Sequence, residues 1–215
     1  MANNLYTTQA DEFSKTRTAP WDGWQTLIKN PDFKIKDSLR ILDLGCGNAR
    51  FLKFIQNHKE ITQYLGIDNS ELLIEQAKEI GGEYQNMDLN TVKWNIEGKF
   101  DLVIAFGLQH HLDSFEIRLH LLQQMANNLD QHGIATITYW QFLNYPRYEN
   151  KIRKLEGENN YIMSFGSNQN ARFCHYTNLQ EIENIEKDSG LKLLANYRSD
   201  GKDGTENIYR VYQKS

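Results

Sequence analysis

The chain has 215 residues, of which 40% are hydrophobic and 24% are charged, a balance typical of a folded globular protein and not of a disordered or fibrous one. This length is enough for one α/β domain with a full core and short for two domains. The net charge of −4 argues against a protein that holds nucleic acid mainly by neutralising many phosphates, although a local basic face is compatible with it.

The first 37 residues are predicted to form an N-terminal helical cap. Apolar residues recur at helical spacing in residues 10–13 and again in residues 24–28. Pro20 and Pro31 punctuate these stretches. We therefore expect short helices that precede the main sheet.

From residue 40 to residue 140 the pattern alternates between strands and helices. Short apolar runs predict strands, and apolar residues that share one helical face predict helices. The run at 100–106 is apolar enough to be buried on both faces of a sheet. Helices are expected to begin at Phe51 and Ser70 and to cover 117–129, with Gly133 ending the last one. The predicted strands are 41–44, 64–67, 84–87, 100–106 and 134–140.

The C-terminal part predicts one more helix and two strands. Residues 179–189 have helical periodicity and are followed by Gly190, and residues 191–197 and 207–212 read as strands. Alternating strands and helices imply a mostly parallel sheet covered on both faces, whereas two final strands without a helix between them imply an antiparallel hairpin. The predicted fold is α/β, with a Rossmann-like seven-stranded sheet.

The turn after the first predicted strand contains Gly45 and Gly47. Glycine lets the backbone turn sharply and approach a ligand closely, and ligands of open parallel sheets bind near this turn. A nicotinamide dinucleotide would require a third glycine in G-x-G-x-x-G, but that position is Arg50, which argues against a dinucleotide. Asp43 suits a ligand with an amino group better than a diphosphate. S-Adenosylmethionine carries such an amine and a sulfonium.

Acidic residues also follow the next two predicted strands. Asp68 comes about 20 residues after the glycines, the spacing at which a carboxylate reaches a ribose diol. Asp88 follows the third strand, where a carboxylate could accept a hydrogen bond from an adenine amine. Acids at three successive strand ends therefore fit the amine, the ribose and the adenine of S-adenosylmethionine in that order.

Four stretches together resemble the class I methyltransferases. They are D-x-G-x-G-x-A at 43–49, G-I-D at 66–68, M-D at 87–88 and F-D-L-V-I-A-F-G-L-Q-H-H-L at 100–112. The resemblance implies S-adenosylmethionine as cofactor, with the methionine end near Asp43, Gly45 and Gly47, the ribose at Asp68 and the adenine at Asp88. Ala49 departs from the family, in which many members have a third glycine there. Neighbouring positions expected to complete the cofactor site are Cys46, as a packing residue, Asn69, Leu89 and Phe106.

The flanks resemble a narrower group, the tRNA wobble-uridine methyltransferases that esterify 5-carboxymethyluridine. This resemblance lies in residues 6–21, His110-His111-Leu112, residues 172–176 and residues 206–209, whereas residues 141–170 match only loosely. It implies tRNA as the substrate and, as for some eukaryotic relatives, a small activating partner protein. The alternatives are a methyltransferase for a small molecule of unknown identity and a non-catalytic protein that kept the fold.

The residues expected to position the methyl acceptor are Arg17, His110, His111, Arg172 and His175. A carboxylate acceptor is already ionised at neutral pH, so it needs cations or hydrogen-bond donors and not a general base. Each residue also has a structural alternative. Arg17 could pair with an acid of the cap, and Arg172 and His175 could brace the loop that leads to Asn178. One of the two adjacent histidines is expected to pack at the strand end, because neighbours in an extended segment face opposite sides.

Residues 144–154 interleave aromatic and basic residues. This pattern could form a face for an anticodon loop, or equally a solvated helix with acidic neighbours.

We divide the chain into a cap (1–37), a cofactor-binding core (38–140), a substrate-side insertion (141–177) and a C-terminal helix with a strand pair (178–215), all in one domain.

The remaining features predict a cytoplasmic protein without a membrane segment. Cys46 and Cys174 lack a CxxC spacing, the N-terminus lacks the features of a secretory signal, and no apolar run is long enough to cross a bilayer. No metal site is expected, because His58, His120 and His132 show no spacing typical of metal ligands.

Overall fold

The computed structural model describes residues 19–165 and 170–215. Arg17 and the helix predicted around residues 10–13 lie outside the described residues. The helices are α1 (Asp22–Lys29), α2 (Arg50–Ile55), α3 (Glu71–Lys78), α4 (Phe115–Asn128), α5 (Pro146–Glu149) and α6 (Leu179–Lys187), with short 3-10 turns at Pro31–Phe33, Gln109–His111 and Phe142–Asn144. The strands are β1 (Ser38–Leu44), β2 (Glu60–Asp68), β3 (Glu83–Asn86), β4 (Phe100–Ala105), β5 (Leu129–Trp140), β6 (Ile152–Lys154), β7 (Asn160–Phe165), β8 (Asn170–His175), β9 (Leu191–Ser199) and β10 (Asn207–Lys214).

The main sheet has seven strands in the order β3-β2-β1-β4-β5-β10-β9. Its first five strands are parallel, and β10 pairs antiparallel with both β5 and β9. The α/β class, the mostly parallel sheet and the C-terminal antiparallel hairpin predicted from the sequence are therefore confirmed. Every residue of the central strand β4 is buried, as its apolar run indicates.

Both faces of this sheet carry buried apolar side chains. Successive strand residues point to opposite faces, so Leu42 joins one hydrophobic cluster and Ile41 joins the other. Polar caps define where the covering helices begin: Ser70, Ser114 and Asn178 each accept a backbone N–H from the residue three positions later. Within the described residues, no helix is both long and apolar enough to cross a membrane.

A second sheet, β6-β7-β8, is antiparallel and lies within the stretch predicted as an insertion. The sequence did not predict it. Residues 146–149 are helical, as one of the two alternatives for residues 144–154 predicts, but residues 152–154 form strand β6 and not a helix. Arg153 and Lys154 of this strand are exposed, so no apolar run marks it.

The predicted end of the helix before β5 is wrong. The helix ends at Asn128, and β5 begins at Leu129 and continues through Gly133. A Cβ at Gly133 would lie 3.0 Å from the backbone oxygens of Phe100 and Asp101. Gly133 therefore serves the close approach of β5 to β4 and does not cap the helix.

Helix α1 docks on the C-terminal hairpin and forms one wall of the site described below. The Gly23 N–H donates to Asp200 Oδ1 (3.0 Å), and the Tyr197 hydroxyl donates to the Gly23 carbonyl (2.8 Å). The Tyr209 hydroxyl donates to the other oxygen of Asp200 (2.7 Å). The Trp24 ring packs against aromatic rings of α2 and lies 5.7 Å from the ring of Phe106.

Replacing Gly23 with alanine should displace α1, because the added Cβ would overlap the ring of Tyr209. We expect the free energy of unfolding to fall by about 1–3 kcal/mol, as for other overpacked sites. Chemical denaturation of the Gly23→Ala variant measures this loss. Thr26→Ala, at an exposed position of the same helix, is the matched control and should change stability by less than about 0.5 kcal/mol. Equal stability of the two variants would contradict the tight packing of α1.

Candidate active site

A cavity of about 410 Å³ opens at the carboxyl ends of the parallel strands. This is the edge at which open α/β sheets bind ligands. All of the residues predicted for the cofactor line it: Asp43, Gly45, Cys46, Gly47, Asp68, Asn69, Asp88, Leu89 and Phe106. Of the residues predicted for the acceptor, His110, His111 and Arg172 also line it.

The glycine turn that follows β1 has a left-handed backbone at Gly45, Gly47 and Ala49, with φ values of 75°, 55° and 54°. The first two positions favour glycine for this reason. Ala49, the N-cap of α2, adopts the same conformation with a side chain, which explains why a glycine is common there in the family that the chain resembles. Its methyl group is fully buried in the core.

Strand β2 holds this turn in place. The N–H groups of Gly45 and Cys46 both donate to the carbonyl of Ile67, at 2.8 and 3.0 Å. The N–H of Gly47 donates to Asp68 Oδ2 at 2.9 Å, and the N–H of Ser70 donates to Asp68 Oδ1 at the same distance. Asp68 is thereby oriented between the glycine turn and the start of α3. Burial raises the pKa of Asp68, and the backbone hydrogen bonds partly offset that increase.

Asp43 is a buried acid at the end of β1, with 3% of its surface exposed. Burial raises its pKa to about 7, the hydrogen bond from the Tyr64 hydroxyl (2.7 Å) counteracts this, and the nearby Asp68 adds to it. A ligand amine beside Asp43 would restore the ionised form by pairing with it. The position therefore fits a ligand with a cationic amino group.

The third acid, Asp88, lies at an exposed position after β3 and accepts the N–H of Asn90 (2.9 Å). Asn90 also lines the cavity, and its side-chain oxygen accepts the N–H of Asp113 (2.9 Å). The sequence did not predict Asn90, because no spacing rule places a carboxamide there. The cavity rim near the third strand is therefore polar.

The two adjacent histidines lie side by side and both line the cavity, because the segment that carries them is not extended as the sequence predicted. Residues 109–111 form a 3-10 turn and not an extended segment. Such a turn rotates successive side chains by about 120° instead of 180°, so the rings of His110 and His111 stay 4.1 Å apart on the cavity wall. The His111 Nδ1–H donates to the carbonyl of Phe173 at 3.1 Å.

Arg172 places a buried cation in the same wall, with 7% of its surface exposed. Its guanidinium lies 5.9 Å from the ring centre of Trp140, and the His110 ring lies 5.0 Å from that of Trp140. Trp140 donates from Nε1 to Glu206 (3.0 Å), which also accepts from Tyr148 and Arg147. The acidic group at this end of the cavity is thus engaged by three donors.

His175 is placed away from the cavity lining, contrary to its predicted contact with the acceptor. Its Nδ1 lies 2.7 Å from Asn160 Oδ1, and its Nε2 lies 2.8 Å from Glu181 Oε2. Burial raises the pKa of Glu181, but hydrogen bonds from His175 and Arg118 outweigh it and keep the pKa low. Arg118 also donates to the carbonyl of Leu112 (2.8 Å). His175 therefore braces the loop, which was its structural alternative.

Several cavity residues come from segments that the sequence did not assign to the site. The indole rings of Trp21 and Trp24 line it, and the guanidinium of Arg50 lies 5.3 and 5.2 Å from their ring centres. Glu206 and Asn207 belong to a motif that the sequence marked without giving it a role. Only the pairing of β10 with β5 brings this motif to the cavity.

Comparison with known proteins adds a family and a fold. Residues 42–135 match the family model described as "Methyltransferase domain". The chain is 28% identical over 139 residues to the tRNA (carboxymethyluridine(34)-5-O)-methyltransferase of Saccharomyces cerevisiae, a match that covers 64% of this chain and 47% of that protein. It is 31% identical over 141 residues to the tRNA (carboxymethyluridine(34)-5-O)-methyltransferase alkbh8 of Xenopus tropicalis, covering 64% of this chain and 20% of that protein. The chain therefore spans less than half the length of these relatives.

Solved structures share the fold over almost the whole chain. An S-adenosylmethionine-dependent methyltransferase from Clostridium acetobutylicum aligns with a TM-score of 0.73 at 14% identity, covering 99% of this chain and 100% of the other. The magnesium protoporphyrin IX methyltransferase of Synechocystis with bound S-adenosylmethionine aligns with a TM-score of 0.63 at 13% identity, covering 99% and 94%. The family match and this fold agree with the cofactor predicted from the sequence.

The buried Asp43 should make the stability of the ligand-free protein depend on pH. Its pKa is about 7 in the folded state and 3.8 as a free side chain, so the folded state binds the proton more tightly between these values. The contribution of this group to stability is present below about pH 4 and is lost as the pH rises to about 7. Asp43→Asn removes the buried charge, so it should raise the free energy of unfolding at pH 8 by on the order of 4 kcal/mol relative to its effect at pH 4.

Denaturant unfolding of wild type and Asp43→Asn at both pH values measures this difference. Asp203→Asn, at an exposed turn, is the control and should show no such pH dependence. A difference between wild type and Asp43→Asn that is the same at pH 4 and pH 8 would show that Asp43 does not titrate as a buried acid.

Proposed function

Because the chain is a class I S-adenosylmethionine-dependent methyltransferase, we propose that it methylates the carboxylate of 5-carboxymethyluridine at the wobble position of a tRNA, forming a methyl ester. The names of the relatives from yeast and Xenopus tropicalis support this substrate. The resemblance in the flanking motifs supports it independently of the cofactor core. A cytoplasmic location and a small activating partner protein belong to the same proposal.

In this proposal the acids at the strand ends hold the cofactor. Asp43 pairs with the amine of the methionine moiety, next to the close backbone approach at Gly45 and Gly47. Asp68 accepts from the ribose hydroxyls, and Asp88 accepts from the adenine amine. The neighbouring cavity residues that complete the contact are Cys46, Asn69, Leu89 and Phe106.

The observation that carries the choice of acceptor is the buried guanidinium of Arg172 beside the imidazoles of His110 and His111. An arginine fork binds a carboxylate with strong, directional hydrogen bonds, and it does so best where water is scarce. The acid at this end of the cavity, Glu206, is engaged by its three donors and so does not take the place of the acceptor. This wall therefore suits an anionic acceptor.

Methylation of a carboxylate requires that the methyl donor and the acceptor are aligned, and it does not require a general base. S-Adenosylmethionine would supply a methyl group carried on a sulfonium, and transfer of that group to an oxygen of the acceptor carboxylate would leave neutral S-adenosylhomocysteine. No proton moves in this step. Holding donor and acceptor in line supplies much of the acceleration of such a displacement. Arg172 and the histidines are the positioning groups.

A basic and aromatic surface next to the cavity supports an RNA substrate. Lys151, Arg153 and Lys154 are exposed on and beside β6, and the Lys151 ammonium lies 6.0 Å from the ring centre of Tyr148. Tyr148 itself lines the cavity. Such a surface offers phosphate contacts and a stacking platform close to the reaction centre.

The decisive assay incubates the purified chain and labelled S-adenosylmethionine with tRNA that carries or lacks 5-carboxymethyluridine. We expect an alkali-labile methyl ester only on the carboxymethylated tRNA. Arg172→Gln should lower kcat/KM by about 10- to 100-fold, because a charge-assisted hydrogen bond contributes about 1.5–3 kcal/mol. Its affinity for S-adenosylmethionine, read by calorimetry, should stay close to that of wild type.

Arg198→Gln, at an exposed position on β9, is the matched control and should retain activity. Absence of the ester with a small activating partner protein present would contradict the tRNA substrate. Methylation of a member of a metabolite panel, without retention of the protein on RNA, would favour the small-molecule alternative, which the aromatic walls around Trp24 and Trp140 also suit.

A further inference from the structure

Three side chains with metal-binding atoms come together at the acceptor end of the cavity, which is the part of its wall that contains Arg172. The ligand atoms of His110, His111 and Cys174 all lie within 4.8 Å of one another. The histidines belong to the 3-10 turn after β4, and the cysteine belongs to β8, which packs on that turn. Because the two segments are more than 60 residues apart in the chain, spacing rules did not reveal the cluster.

We propose that His110, His111 and Cys174 form a binding site for Zn²⁺. Two imidazole nitrogens and one thiolate are ligands that zinc prefers, whereas Mg²⁺ and Ca²⁺ prefer oxygen. Zinc binds nitrogen at about 2.0–2.1 Å and thiolate sulfur at about 2.3 Å, so tetrahedral ligands lie roughly 3.3–3.8 Å apart. The three ligands would need to move together by about 1 Å to reach this geometry.

The hydrogen bond of His111 is the second observation that points to a metal. Its Nδ1–H donates to the backbone carbonyl of Phe173, which can only accept. This bond fixes the ring and places a proton on Nδ1. Histidines that bind metals are oriented in this way, because the second ring N–H donates to a carbonyl or a carboxylate. The residue that orients His111 is the immediate neighbour of Cys174.

The burial of the cluster resembles that of a catalytic metal site more than a structural one. Cys174 is fully buried against Phe142 and Met163, and the guanidinium of Arg172 lies beside its sulfur. His110 and His111 line the cavity. Three protein ligands leave the fourth tetrahedral position for water or substrate, the arrangement found in catalytic zinc sites.

The charge of such a site complements an anionic acceptor. Zn²⁺ displaces the thiol proton of Cys174 to solvent, so the ion and the thiolate together carry one positive charge. With the guanidinium of Arg172 in the same wall, the site could take one oxygen of a carboxylate at the fourth position. This role in acceptor binding rests on the proposed function, whereas binding of the metal does not.

The test is a titration of chelator-treated, metal-free protein with Co²⁺, the spectroscopic substitute for Zn²⁺, followed by displacement with Zn²⁺. We expect one Co²⁺ per chain, a sulfur-to-cobalt charge-transfer band and the visible bands of a tetrahedral site, all of which Zn²⁺ abolishes. Cys174→Ser should remove the charge-transfer band and weaken binding by more than about 100-fold, because losing a second-shell partner alone costs about 10- to 100-fold.

Cys46→Ser is the matched control, because Cys46 is also buried but lies in the glycine turn. It should keep the cobalt spectrum. His111→Gln, at a half-buried position, gives a second variant if Cys174→Ser does not fold, and it should also weaken binding.

Failure of the wild-type protein to take up stoichiometric Co²⁺ or Zn²⁺ would overturn the proposal. A spectrum that is unchanged in Cys174→Ser and in His111→Gln would overturn it as well. Neither measurement uses S-adenosylmethionine or tRNA. A cobalt spectrum without ester formation would therefore refute the tRNA substrate and leave the metal site standing, and the reverse result would refute the metal site alone.

Discussion

The turn between β1 and α2 keeps its shape because β2 accepts its backbone N–H groups. Two of them reach the carbonyl of Ile67, and a third reaches the carboxylate of Asp68. These bonds hold Gly45, Gly47 and Ala49 in the left-handed region. Because the two glycines have no side chain, their backbone atoms line the cavity directly. The same carboxylate that orders the turn also lines the cavity, so in the proposed function the shape of the turn and the recognition of the ribose depend on one residue.

The two ends of the cavity differ in how their charges are balanced. The cofactor end is the part lined by Asp43 and Asp68, and the acceptor end is the part lined by Arg172 and the two histidines. At the cofactor end, Asp43 is kept in a state that is unfavourable without a ligand, because burial disfavours its charge. At the other end of the cavity, the charge of Glu206 is balanced within the protein, because Glu206 accepts hydrogen bonds from Arg147, Tyr148 and Trp140. The first arrangement favours binding of a cationic amine. The second keeps the wall around Arg172 suited to an anion.

The sequence predicted most of the fold, and it predicted that the acids at the strand ends lie together at one edge of the sheet, because both follow from local patterns. The apolar runs of β1 and β4 are visible in short windows, and the acids at 43, 68 and 88 share one edge because parallel strands end there. The acceptor end is different. The 3-10 turn at His110, the exposed strand β6 and the pairing of Glu206 with Tyr148 depend on contacts between segments that are far apart in the chain. A pattern within one segment does not contain that information.

If the carboxylates at the strand ends hold S-adenosylmethionine, the affinity of the protein for this cofactor depends on Asp68. Calorimetric titration of the cofactor into wild type and Asp68→Ala should show a loss of about 1.5–3 kcal/mol of binding free energy, since the substitution removes charge-assisted hydrogen bonds to the ribose. Thermal unfolding of both proteins establishes that the variant is folded. An unchanged affinity in a folded Asp68→Ala protein would contradict the account.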